Sequence, residues 1–169
     1  MKQAFFYLLT EIEPNFDASQ DLWQQNKQVK LTQREQLACW LAVRYFQTRK
    51  KVLIFCENEM HAERIDEALW AYQPERFIAH DLVSKSKNHT TLIQIGWPGH
   101  RSLDSRDILI YLADEFSDVT TFFNSVIDFV PAIEQEKEVA RIRYKQFREM
   151  GFHLKTGPLP EKFLANTQD

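Results

Sequence analysis

Lys137, Arg141, Lys145 and Arg148 recur at i, i+4, i+8 and i+11, which lines four cations along one face of a helix. Val139, Ala140, Arg143, Tyr144, Phe147 and Met150 fill the neighbouring arc, so Tyr144 sits at the seam between the basic stripe and the apolar arc. Cations edged by an aromatic ring suit an acidic peptide that ends in a hydrophobic residue. Its carboxylates take charge-assisted hydrogen bonds, and its last side chain lies against the ring. A nucleic acid fits less well. A phosphate-binding domain is usually basic, whereas this chain has 21 Lys and Arg against 24 Asp and Glu, a net charge of −3.

Other chemistry is thinly supplied. The four glycines, Gly96, Gly99, Gly151 and Gly157, cannot build a glycine-rich phosphate loop. The turn after the apolar run V-L-I-F-C at Val52 to Cys56 reads E-N-E-M, which puts negative charge where a phosphate would sit. His61 and Glu57 could pose as a metal pair, but a solvated residue at a helix start is the simpler reading. His80 with Asp81 reads as a polar strand end with a satisfied hydrogen bond. The adjacent carboxylates Asp66–Glu67 and Asp114–Glu115 diverge, so neither pair is a ready acid–base couple. Ser102, Ser105 and Arg106 read as a surface loop. Nothing here rises to a catalytic constellation, and the reading predicts no catalytic residues, no metal and no cofactor. An α/β enzyme such as a nuclease or nucleotide-binding protein would need a carboxylate cluster or a phosphate loop, and the four glycines speak against the latter.

The elements that must position the stripe follow from periodicity. With 169 residues, 44% hydrophobic and 27% charged, the chain can bury a core as one domain spanning 1–169. Ala4 to Leu9, Val52 to Cys56, Phe77 to Leu82, Leu92 to Trp97, Ile108 to Leu112 and Val126 to Val130 read as strands. Phe152 to Leu154 adds a last edge strand. Leu92 to Trp97 alternates, which predicts one solvated face. Thr32 and Glu35 have capping-box spacing for a helix start. Asn58 caps a second helix and Ser117 a short one over Val119 to Phe123. Helices alternating with fully apolar strands predict an α/β fold, a three-layer αβα sandwich on a mostly parallel, partly mixed sheet. Residues 11–30 read as a loop excursion, and 157–169 as a loosely held tail.

Cys39 and Cys56 read as small buried hydrophobes rather than a disulfide, which fits a reducing cytoplasm. No apolar run approaches the ~18 residues of a membrane span. The start M-K-Q-A-F-F-Y-L-L-T reads as a strand rather than a leader, because Glu11, Glu13 and Pro14 follow at once.

F-Y-L-L at Phe6 to Leu9, K-V-L-I-F-C-E at Lys51 to Glu57, R-I-D-E-A-L-W at Arg64 to Trp70 and F-I-A-H-D-L at Phe77 to Leu82 stand in order with three later motifs. These are R-D-I-L-I at Arg106 to Ile110, D-F-V-P at Asp128 to Pro131, and A-R-x-R-Y-K-x-F-R-x-x-G-F at Ala140 to Phe152. The set resembles the chi subunit family of bacterial DNA polymerase III over most of the chain. The resemblance implies an α/β fold, no catalytic activity of its own, and an adaptor role in DNA replication beside the clamp loader. It implies two partners: the acidic, Phe-ending tail of single-stranded-DNA-binding protein, and the psi subunit or a competing helicase. DNA would be reached only indirectly, without a membrane. The family's tail-binding positions resemble Lys137, Arg141 and Tyr144, with Val130 nearby and Arg148 on the same stripe. Its psi-facing surface resembles the region of Trp70 and Phe77 around the turn at Pro74. The alternative readings are a direct single-stranded nucleic-acid-binding domain and a helicase accessory protein.

Overall fold

V-L-I-F, I-Q-I-G and I-L-I-Y are buried on both faces and form the centre of an open sheet. The computed structural model describes residues 1–10, 31–72, 77–85 and 91–165. In chain order the elements are β1 (Gln3–Leu8), α1 (Gln33–Gln47), β2 (Val52–Phe55), α2 (Glu59–Ala71), β3 (His80–Leu82), β4 (Ile93–Gly96), β5 (Ile108–Tyr111), β6 (Ser125–Val130), α3 (Glu134–Glu149), β7 (His153–Pro158) and α4 (Glu161–Ala165). The seven strands lie in the order β3-β4-β2-β5-β6-β1-β7. Every strand pairing is parallel. The α/β sandwich holds, but the antiparallel admixture expected from sequence is not found among the described strands. Even the last edge strand, β7, returns parallel to β1 because α3 carries the chain across the sheet.

Strand alternation divides the core in two. Val52, Ile54, Ile108 and Ile110 face a cluster with residues of α1, α2 and α4. Leu53, Phe55, Leu109 and Val126 face the other side, where Phe147 of α3 packs. The helix starts match the sequence signals. Thr32 and Glu35 complete a capping box on α1, Asn58 caps α2, and Ser117 caps a 3-10 turn at Asp118–Phe122. Gly151, at φ +87°, ends α3 in a Schellman turn. The Phe152 N–H donates to the Phe147 carbonyl at 3.1 Å, and the Gly151 N–H donates to that of Arg148 at 3.0 Å.

Two local expectations differ. β4 has no solvated face: Gln94 is buried and accepts the Ser102 hydroxyl at 2.6 Å. The chain beyond Gly157 is not loosely held as far as Ala165, because Leu159 and Phe163 are buried and Phe163 packs edge-on against Trp40 with ring centroids 5.6 Å apart. The expected excursion at 11–30, the proline turn at Pro74 and the last residues 166–169 lie outside the described residues.

Candidate functional site

α3 lies on the sheet through Ala140, Arg143 and Phe147, all buried. Rotation from that buried line by about a quarter turn brings Lys137, Arg141, Tyr144 and Arg148 onto one flank. Tyr144 is the half-buried wall of that flank: its ring packs edge-on against Phe6 of β1, with centroids 5.1 Å apart. The Arg148 guanidinium lies over the same ring at 5.2 Å. Val130, at the end of β6, packs against the same apolar cluster as Tyr144. All five candidate residues thus belong to α3 and to the end of the strand that leads into it.

The cations on this flank are already engaged. Glu134, in the first turn of α3, accepts from Lys137 Nζ at 3.0 Å and from Arg141 Nη2 at 3.0 Å. Arg141 also lies 3.5 Å from Glu138. Lys137 and Arg141 push the Glu134 carboxyl below the usual carboxylate range, and Glu134 in turn raises Arg141. Glu134 and Arg141 are exposed and Lys137 is half-buried, so the pairs are weak and easily exchanged for another carboxylate. Glu134 is the present partner of the two cations that the sequence offers to a peptide carboxylate. The sequence reading missed it, although its i, i+3 spacing to Lys137 was a usable signal.

Arg143 behaves differently from its neighbours in the apolar arc. Its guanidinium is buried and grips Asp128, with Nε to Oδ2 at 2.8 Å and Nη2 to Oδ1 at 3.0 Å. It also donates to the Asp114 carbonyl at 2.9 Å and the Phe129 carbonyl at 3.3 Å. Burial would lower the Arg143 pKa, but Asp128 outweighs it and the net shift is upward. This pair ties α3 to β6 and so sets where the cationic flank stands.

Parallel α/β sheets bind ligands beyond the carboxyl ends of their strands, where neighbouring connections part to opposite faces. Here that place is a cleft of about 860 Å³ lined in part by Leu9, Thr10, Arg34, Asp114, Ile133 and Arg143. Arg34 donates to the carbonyls of Tyr111 at 3.1 Å and Ala113 at 3.3 Å, and pairs with Asp114 at 3.4 Å. Both arginines are thus bonded to the protein's own oxygens rather than turned toward a phosphate. His61 is not the solvated residue expected: its Nδ1 accepts the Glu57 N–H at 3.0 Å and its Nε2 lies 3.1 Å from Glu35. Among the described residues no group of three or more His, Cys, Asp or Glu could hold a metal ion. No described helix is long and apolar enough to cross a membrane. Cys39 and Cys56 are free and buried, and burial pushes both thiols up.

The second pair of candidates lies far along the sheet. Trp70, near the end of α2, is 58% exposed, and Phe77, in the approach to β3, is 81% exposed. The possibility that both belong to the core is thereby removed. Phe77 also has φ +51°, a left-handed conformation that costs a bulky residue about 1–3 kcal/mol. Sequence could supply the aromatic but not the positive φ. Pro74, between the two, lies outside the described residues.

Comparison with known proteins identifies the family of the chain. Residues 1–155 match the family model described as DNA polymerase III chi subunit, HolC. The chain is 42% identical over 156 residues to DNA polymerase III subunit chi of Escherichia coli (strain K12), covering 92% of this chain and 97% of that one. It is 44% identical over 122 residues to the Haemophilus influenzae subunit chi, covering 72% and 85% respectively. Among solved structures, T4 UvsW superposes with a TM-score of 0.56 at 11% identity, over 94% of this chain and 41% of that one. S. cerevisiae Dbp5 bound to RNA and ADP BeF3 gives 0.55 at 10% identity, over all of this chain and 46% of that one. This chain spans less than half of either, and the likeness is one of fold alone. The match over residues 1–155 and the close identity to its members lead to one conclusion: the chain belongs to the DNA polymerase III chi subunit family, proteins of DNA replication.

Proposed function

We propose that the chain is a non-catalytic adaptor of the DNA polymerase III holoenzyme that captures the acidic C-terminal tail of single-stranded-DNA-binding protein on one surface and psi on another. The observation that carries the first half is the flank of α3. On a protein with net charge −3, Lys137, Arg141 and Arg148 line up beside the half-buried Tyr144 ring. Arg141 and Lys137 exchange Glu134 for the tail carboxylates. Tyr144 and Val130 receive the terminal Phe, whose burial contributes about 1.5–3 kcal/mol. After the cost of ordering a flexible tail, affinity on the order of micromolar is expected, weakening as salt rises.

Titration of a Phe-ending acidic tail peptide tests this. Arg141→Ala is expected to weaken binding by at least about tenfold. Glu134→Gln, which removes the competing carboxylate, is expected to tighten it by up to about fivefold. Equal affinities for all three proteins would end the proposal. Tight binding of a bare oligonucleotide by the parent protein would instead favour direct strand binding.

Trp70 and Phe77 form the surface for psi, since exposed aromatics of this size anchor protein partners. Phe77→Gly separates display from folding, because glycine adopts positive φ without strain. The variant is expected to melt no lower than the parent yet to lose psi in a pull-down. Full retention of psi would remove Phe77 from the interface.

A further inference from the structure

Directly behind the exposed pair lies a histidine that the tail and psi readings do not use. The His80 side chain is fully buried, and its ring sits 4.7 Å from that of Trp70, tilted by 59°. Its Nδ1 is 2.8 Å from the Ile78 carbonyl. Its Nε2 is 3.1 Å from the Asp66 carbonyl and 3.1 Å from Asp66 Oδ1. All three partners are acceptors. Neutral imidazole has one N–H and one lone pair, so a neutral ring would point that lone pair at an oxygen. Only the imidazolium satisfies both sides.

The three acceptors matter because of where they sit. Asp66 is one turn before Trp70 on α2, so the two share a face. Ile78 follows Phe77 directly and is itself buried. The ring therefore bonds to the residue beneath Trp70 and to the residue beside Phe77, and touches the Trp70 ring itself at a tilt.

We propose that His80 is the positioning residue of the second docking surface: its ring, doubly protonated between Asp66 and Ile78, holds Trp70 and Phe77 at docking geometry, and capture at that surface depends on its second proton. The inference rests on the reading of Trp70 and Phe77 as a docking pair. Among the described residues, the groups facing the ring are Asp66 from α2 and the Ile78 carbonyl from the preceding loop. Ile93 of β4 is the cross-strand partner of His80, and neighbouring Asp81 accepts instead from Thr91 Oγ1 at 2.6 Å. Burial opposes the charge, but the Asp66 carboxylate and the Ile78 carbonyl outweigh it, so the pKa is raised from the usual value near 6.5. The proton, and the stability it supplies, is fully present below the ordinary histidine value. It is lost as pH rises through the higher folded one.

The test follows 5-fluorotryptophan-labelled protein by fluorine NMR from pH 6 to 9.5, with Trp70→Phe assigning the Trp70 signal. Nitrogen NMR of the imidazole runs in parallel. Both His80 nitrogens are expected to be protonated at pH 6, and the Trp70 signal is expected to move with the His80 midpoint. Asp66→Asn, a milder change than removing the ring, should lower that midpoint by about one pH unit or more. His80→Gln should abolish the movement. Capture of purified psi should be several-fold weaker at pH 9 than at pH 6.5 in the parent and weak at both in His80→Gln, with tail-peptide affinity unchanged by the substitution. A Trp70 signal that ignores His80 titration, or full psi capture by folded His80→Gln, overturns the inference. If the parent captures no psi at any pH, the docking reading fails, and the coupling of His80 to Trp70 is decided on the fluorine signal alone.

Discussion

Arg143→Ala is expected to destabilise the protein by about 3–5 kcal/mol, the usual cost of breaking a buried ion pair from one side. Asp128 is 0% exposed and takes two hydrogen bonds from Arg143. Without them its carboxylate keeps its own neighbour's backbone, the Phe129 N–H at 2.6 Å, and Arg34 at 3.7 Å, beyond hydrogen-bond range. The carbonyls of Asp114 and Phe129 lose donors as well. Against a total stability of about 5–15 kcal/mol for a domain of this kind, the loss is a large share. Denaturant unfolding should show it, and tail affinity should fall because α3 is no longer tethered to β6. A double variant, Asp128→Leu with Arg143→Met, should recover most of the stability, since an apolar pair of similar volume is often neutral or better. A loss under about 1 kcal/mol in the single variant would mean that Arg34 shifts to neutralise Asp128, and that the tether is not what holds α3.

Arg143 also illustrates what the sequence concealed. The spacing of Lys137, Arg141 and Arg148 is local, so their common flank could be read from helix geometry alone. The seam position of Tyr144 came from the same count. Arg143 fell in the apolar arc by that count, and its charge went unexplained. Its explanation is non-local: Asp128 interrupts an otherwise apolar strand, V-I-D-F-V. A lone carboxylate in a buried strand and a lone arginine on a buried helix line each require a partner. Pairing the two anomalies would have found the bond. Gln94 gave the same signal inside β4, where alternation suggested solvent and the true partner was Ser102, eight residues away. The strand order and the parallel return of β7 depend on long-range crossovers that no local pattern encodes. Phe77 is the opposite case. Its type suggested a partner surface, but no local pattern encodes its exposure or the left-handed backbone that its side chain disfavours.

Glu35 leads to the second large effect, on lowering pH. The carboxylate is the capping-box residue of α1, accepting the Thr32 N–H at 3.0 Å. It also meets His61 Nε2 at 3.1 Å and Arg64, both from α2. Burial alone would raise its pKa, but His61, Thr32 and Arg64 outweigh burial and bring it from 4.5 to about 2. Its side chain is only 4% exposed, so solvent screens little of this. A depressed carboxylate contributes stability that is fully present above its unfolded value and lost as pH falls through the folded one. A gap of about 2.5 pH units corresponds to roughly 3 kcal/mol. Glu35→Gln keeps the capping geometry but has no charge to lose. Denaturant midpoints measured from pH 6 to 2 should therefore converge, the parent starting more stable and losing up to about 3 kcal/mol more than the variant. Parallel acid profiles would assign the acid sensitivity to other carboxylates. Glu35 joins α1 to the first turns of α2, and α2 carries Trp70 at its far end. Acid therefore loosens the mounting of the Trp70 surface on α2.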